Sequence, residues 1–182
     1  MGDGICHSVS QPPHAASPRQ GRQDKKDVFD PADESFQLVD ISAQLSSDFK
    51  FVGAAADANG KIIFAPDFAD SVGVFDPADE SFQLIDISVQ LHNDFKFAGA
   101  APAANGLIIC APDYADSVGV FDPGDESFQL IDISAQLSSG LKFFGAAPAA
   151  NGRIIFVPDV AESVGVFDPD DASFQLIDIS GS

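Results

Sequence analysis

The chain has no tryptophan, one methionine, one tyrosine and two cysteines in 182 residues. Cys6 and Cys110 stand far apart in unlike surroundings, which excludes a disulfide framework and a Cys/His zinc cluster. Basic side chains are scarce: nine Lys and Arg face 28 Asp and Glu, a net charge of −19. That excludes nucleic-acid binding through a broad basic face. No apolar run nears the roughly 18–20 residues of a membrane span. The N-terminus has no apolar stretch of the secretory kind. Met1-Gly2 matches a myristoylation start, but Cys6 stands where Ser or Thr is needed. These absences together suggest a soluble, cytoplasmic protein with no cofactor.

What is present is phenylalanine, 17 in all, within a chain that is 45% apolar. Such a chain can bury a core and is not disordered throughout. Its length suits one domain. Residues 1–27 differ: they are rich in Pro, Gln, Ser and Gly and show no hydrophobic period. Arg19, Arg22, Lys25 and Lys26 stand against three acids there, so the segment is near neutral and reads as a disordered tail. Lys25-Lys26 reads as part of a solvated linker rather than a docking signal.

From Val28 onward the chain repeats every 46 residues. VFDP recurs at Val28, Val74, Val120 and Val166, and Asn-Gly at Asn59, Asn105 and Asn151. A fixed period of this size points to a repeat architecture. Each unit divides into four strands, here lettered a to d. In the unit 50–88, strand a covers 51–55, strand b 61–65, strand c 71–75 and strand d 81–88. Asn59-Gly60 favours a type I′ hairpin between a and b. Pro66 opens the b–c loop because it cannot donate to a ladder. Asp76-Pro77 starts the c–d turn.

The side-chain pattern is that of a stacked sheet. Along strand d, Phe82 and Leu84 oppose Ile85 and Ile87; along strand b, Ile62 and Phe64 oppose Ile63 and Ala65. Both faces are apolar, whereas a surface sheet keeps one polar face. Strand a is small, Gly53-Ala54-Ala55, as a strand lining a crowded axis must be. The expected fold is all-β: a β-propeller-type array of four-stranded antiparallel blades. Residues 28–42 supply a half blade, and 50–88, 96–134 and 142–180 supply full blades, about three and a half in all. A closed propeller needs at least four, so an open arc or part of a larger propeller is expected.

The run Val74-Phe75-Asp76-Pro77-Ala78-Asp79-Glu80-Ser81-Phe82 resembles the kelch repeat, with its aromatic-Asp-Pro turn and a second aromatic about six positions on. Gly53-Ala54-Ala55, Asn59-Gly60 and Ile62-Ile63-Phe64 are similar to the kelch segment around its second strand. Two departures stand out. Ala65-Pro66 replaces the kelch diglycine, and Phe36, Phe82, Phe128 and Phe174 replace its Trp. The resemblance implies a protein-interaction scaffold, with no catalytic residue to carry over.

Three groups of polar residues recur. The c–d turns hold Asp76, Asp79 and Glu80 and their equivalents, which read either as turn caps or as oxygen ligands for a divalent cation. The b–c loops hold Asp67, Phe68 and Asp70, then Asp113, Tyr114 and Asp116, then Asp159, Val160 and Glu162. In a propeller these loops share one face with the d–a loops, and acids around a varied apolar residue suit a basic protein partner. Lys50, Lys96 and Lys142 occupy one repeat position and are expected to pair with Asp40, Asp86, Asp132 and Asp178. Near-identical repeats argue against catalysis, which needs an asymmetric set of different groups. The alternative is a piece of a larger propeller hydrolase or lyase, in which His92 is a departure from the repeat; Cys110 reads as a small core hydrophobe. The exposed end faces of an arc favour self-association or pairing with a chain of like repeats.

Overall fold

The computed structural model describes residues 28–30, 35–91 and 93–181. The expected disordered tail and His92 lie outside them. Two bodies are distinct, the first ending at Asp40 and the second running Ile41–Ser182. The first holds a hairpin, β1 (Val28–Asp30) and β2 (Ser35–Gln37), with Phe29 opposite Phe36.

The second body is three four-stranded antiparallel sheets, each in simple sequence order. Blade 1 is β3 (Phe51–Ala56), β4 (Ile62–Pro66), β5 (Ser71–Asp76) and β6 (Ser81–Asp86). Blade 2 is β7 (Phe97–Pro102), β8 (Ile108–Pro112), β9 (Ser117–Asp122) and β10 (Ser127–Asp132). Blade 3 is β11 (Phe143–Pro148), β12 (Ile154–Pro158), β13 (Ser163–Asp168) and β14 (Ser173–Asp178). These are propeller blades, and no helix among the described residues is long and apolar enough to cross a membrane.

The first turn is not the expected type I′. Only the glycines Gly60, Gly106 and Gly152 take a positive φ there, near 88°, 90° and 85°, and the preceding asparagines do not. The Gly60 N–H donates to the Asp57 carbonyl, and the Asp57 N–H to the Lys61 carbonyl. That is a type I turn followed by a glycine bulge, the usual solution when the loop is one residue longer. Asp57 adds a carboxylate that accepts from the N–H groups of Asn59 and Lys61, both at 2.8 Å. Pro66, expected in the loop, instead ends β4 opposite Phe51, at a place where no donor is demanded.

Strand a shows why small residues are needed. Its ladder slips between Phe51 and Ala54, and the slip recurs between Phe97 and Ala100 and between Phe143 and Ala146. The glycine in each slip takes a positive φ, 85° at Gly53 and 140° at Gly99. A Cβ on Gly53 would lie 2.6 Å from the Gly99 Cα, and one on Gly99 would lie 2.6 Å from the Gly145 Cα. The blades therefore meet backbone to backbone along their first strands.

Two apolar cores lie between the three blades. Ile63, Ala65, Val72, Val74 and Ile87 of blade 1 pack on Phe97, Ile108, Cys110, Phe121 and Phe128 of blade 2. Ile109, Ala111, Val118, Val120 and Ile133 of blade 2 pack on Phe143, Ile154, Phe156 and Phe167 of blade 3. Each blade thus has a trailing face of branched aliphatics and a leading face of phenylalanines. Cys110 is fully buried as expected, and burial pushes its thiol up to about 12. Phe128 is buried, while Phe82 and Phe174 are half-buried against Phe51 and Phe143, with ring centroids 6.2 Å apart in both pairs.

The glycine contact yields a paired test. Gly99→Ala, with no space for a methyl, should cost about 3 kcal/mol or more. Gly60→Ala, whose Cβ meets nothing within 4 Å, should cost only the left-handed penalty of roughly 1 kcal/mol. Urea denaturation of both variants decides it. Equal losses would mean that the first strands do not approach this closely.

Candidate functional site

The face formed by the b–c and d–a loops is organised by buried lysines. Lys96 and Lys142 immediately precede β7 and β11 and are fully buried. Each reaches back to the blade before it. The Lys96 N–H donates to the Asp67 carbonyl at 3.3 Å, and Lys142 does the same to Asp113 at 3.1 Å. The Lys96 Nζ donates to that same Asp67 carbonyl at 3.3 Å and forms an ion pair with Asp70 at 3.1 Å. The Lys142 Nζ meets the Tyr114 carbonyl at 3.3 Å and Asp116 at 3.2 Å.

The expected pairing with strand-d acids is thereby corrected for these two lysines. The partners are Asp70 and Asp116, which the b–c loop holds directly over the ammonium groups. Asp86 and Asp132 act locally instead, their carboxylates accepting from the N–H groups of Ser88 and Ser134 at 2.8 Å. An alternation argument along one strand does not reach across blades, which is why the loop partner was missed.

Asp67 and Asp113 lie beside the lysines and are also buried, each 5% exposed. One carboxylate oxygen of each has no hydrogen-bond partner. Burial pushes the Asp67 carboxyl up to about 6, helped by the charges of Asp113 and Asp94 and opposed by Lys96. Asp113 is raised in the same way by burial and by Asp159, against the pull of Lys142. These two acids therefore do not stand out toward solvent as the sequence suggested. Asp159, Val160 and Glu162 of the last b–c loop are exposed.

Above this charged layer runs a ladder of aromatic rings. Phe49, Phe68, Phe95 and Tyr114 follow one another with centroid spacings of 5.8, 4.6 and 5.4 Å. Phe68 and Tyr114 come from b–c loops and were expected here. Phe49 and Phe95 come from d–a loops, interleave with them, and were not foreseen. Phe49, Phe95 and Tyr114 are exposed. The signal was present in the recurring Asp-Phe-Lys at Asp48 and Asp94, which becomes Gly140-Leu141-Lys142 in the third unit. Gly140 matches a local need, since a Cβ there would lie 2.5 Å from the Tyr114 ring.

The ladder is held at a backbone cost. Phe49, Phe95 and Leu141 have φ of 48°, 56° and 54°, a left-handed conformation that bulky residues avoid. Their carbonyls accept from the N–H groups of Phe68, Tyr114 and Val160 at 3.1, 2.9 and 3.0 Å, which fixes the d–a loop on the b–c loop.

The acidic c–d turns are chemically different. Asp76 accepts from the Ala78 N–H at 2.9 Å, and Asp79 from the Ser81 N–H at 3.0 Å. The bonds to Ser81, Ser127 and Ser173 hold the carboxyls of Asp79, Asp125 and Asp171 below the usual range. Among the described residues no group of three or more His, Cys, Asp or Glu is placed to hold a metal ion.

No family model matches the sequence, and no curated protein is significantly similar to it. Solved structures match in fold. Virginiamycin B lyase from Staphylococcus aureus superposes with a TM-score of 0.62 at 14% identity, over 75% of this chain and 44% of the lyase. A streptogramin B lyase gives 0.61 at 19% identity, over 76% and 44%. A chain of a nidogen/laminin complex gives 0.55 at 13% identity, over 79% and 52%. These are β-propeller proteins, and the chain is a β-propeller repeat protein in fold. It spans less than half the length of the lyases it resembles.

The buried acids give a pH test. The folded-state value of Asp67 lies above the unfolded one, so folding takes up a proton between about pH 4 and 6. The contribution of Asp67 to stability is then greatest below this window, falls as pH rises through it by at most about 3 kcal/mol, and is level above it. Asp67→Asn should be more stable than the parent at pH 7 and flatter across the window. Denaturation curves at stepped pH measure this, and a stability difference between parent and variant that stays constant from pH 4 to 6 would contradict it.

Proposed function

We propose that the chain is a non-catalytic protein-interaction scaffold, and that the aromatic ladder with its flanking acids binds a basic segment of a partner protein. The observation that carries this reading is the ladder itself: exposed rings kept in contact by residues in a strained backbone conformation. Strain of this kind persists where the surrounding structure over-determines it, and it clusters at binding sites. Phe49, Phe95 and Tyr114 keep much of their ring surface in water despite these mutual contacts. Ring faces attract Lys and Arg side chains, by about 0.5–2 kcal/mol each. Phe68, Asp70, Tyr114, Asp116, Asp159, Val160 and Glu162 supply the b–c half of this surface, above the buried Asp67 and Asp113; Phe49, Phe95 and Leu141 supply the d–a half. The acidic body draws a basic partner and repels nucleic acid. The kelch-like turn motif supports the scaffold reading.

The second reading is a piece of a larger propeller lyase, favoured by the fold likeness to virginiamycin B and streptogramin B lyases. A bound metal lost on His92→Ala would favour it.

The test uses Phe95→Gly. This change removes a ring and relieves the left-handed strain, so the fold should be as stable as the parent or more so. Binding of a fluorescent Lys/Arg-rich peptide, followed by anisotropy, should weaken by about tenfold or more, which corresponds to about 1.4 kcal/mol. The parent's affinity should also fall with salt. Equal affinity of parent and variant, or no binding by the parent, would remove the ladder as the site.

A further inference from the structure

The same interface is built twice inside the chain. Strand β7 lies on β3 and β4, and β11 lies on β7 and β8. In both cases the trailing face of one blade takes the first strand of the next. Blade 3 has the same trailing face with nothing described upon it. Ile63 and Ile109 are fully buried, whereas their equivalent Ile155 is not. Ala65 and Ala111 are 0% exposed, and Val157 in their place is 49% exposed. Ile87 and Ile133 are 0% exposed, and Ile179 is 42% exposed. The backbone agrees: a Cβ on Gly53 or Gly99 would strike the next glycine, while one on Gly145 meets only the Val157 side chain, at 3.5 Å.

We propose that this trailing face docks the first blade strand, β3, of a second copy of the chain. The surface is not a generic apolar patch. It is the third copy of a surface whose partner is known from the other two, namely a strand of the sequence Phe-x-Gly-Ala-Ala backed by phenylalanines. β3 reads Phe51-Val52-Gly53-Ala54-Ala55-Ala56 and meets that description. A second copy therefore carries the matching element. Contact of trailing face with leading face is head to tail, and it gives a ring if the rotation closes and a filament if it does not. Two copies supply six four-stranded blades, within the range of closed propellers. Like charge opposes the approach, so association strengthens as salt screens it.

Light scattering across a salt series tests this on the full chain. At about 1 M NaCl, where the screening length is about 3 Å, the parent should show the mass of two or more copies, and less of it at about 0.1 M. Val157→Asp and Ile179→Asp place a charge on the trailing face at half-exposed positions. Each should weaken association at least tenfold with an unchanged circular-dichroism spectrum. Val157→Ala, which restores the residue of blades 1 and 2, should still associate. Phe95→Gly should associate as the parent does, which separates this surface from the aromatic ladder. A parent that stays monomeric at high salt, or aspartate variants that associate as well as the parent, would overturn the proposal.

Discussion

The arrangement depends on lysines that water does not reach. An ammonium group taken out of water is costly unless it is paired and hydrogen-bonded. Lys96 and Lys142 meet that demand only because the preceding blade presents a carbonyl and a carboxylate at the same point. The requirement is mutual. The b–c loop must stay closed to keep Asp70 and Asp116 in place, and the next blade must arrive at one angle for its lysine to reach them. A purely apolar interface would tolerate sliding, whereas this one has a single register. The neighbouring carboxyls of Asp67 and Asp113 are drawn into the same dry layer and are raised in pKa as a result.

The aromatic ladder rests on this layer. The residue before each buried lysine, Phe95 or Leu141, is where the chain turns into a new blade, and it does so with a left-handed step that Phe49 shares. Glycine would be the ordinary choice. A ring at that place is turned outward, beside the rings of the b–c loops. Binding residues are commonly found on loops that a rigid scaffold positions. Here the rigidity comes from the ion pairs beneath, and the recognition surface comes from the residue next to them in sequence.

Much of the architecture could be read from the repeat. The 46-residue step, the four strands, the two apolar faces and the small first strand all follow from residue types at fixed spacing. Cys110 was legible as core because Phe64 and Phe156 hold its place elsewhere. Other features were not legible. The backbone sign at Phe49 and Phe95 leaves no trace in composition, since phenylalanine is a poor guide to positive φ. The partners of the lysines belong to a different blade, so no local pattern points to them. The Asn-Gly dipeptide suggested one turn, but Asp57 and its equivalents lengthen the loop by a residue and select another. The b–c acids looked alike in sequence, yet Asp67 is buried, Asp70 is paired and Asp159 is exposed, because burial comes from contacts with a lysine on another blade, which no local pattern encodes.

The third and fourth strands of all three blades are identical: Ser-Val-Gly-Val-Phe-Asp in β5, β9 and β13, and Ser-Phe-Gln-Leu-Ile-Asp in β6, β10 and β14. Any of the first three can pair with any of the second three at the same contact energy. What selects the correct partner during folding is chain entropy, which favours the nearest segment. The short turn from Asp76 to Ser81, with its two aspartate caps and left-handed Glu80, sharpens that choice by closing the hairpin locally. The native pairing is therefore favoured by the short loop it closes and not by the contacts between its two strands. Conditions that hold many unfolded chains close together invite exchanged hairpins, in which one molecule's strand completes another's sheet.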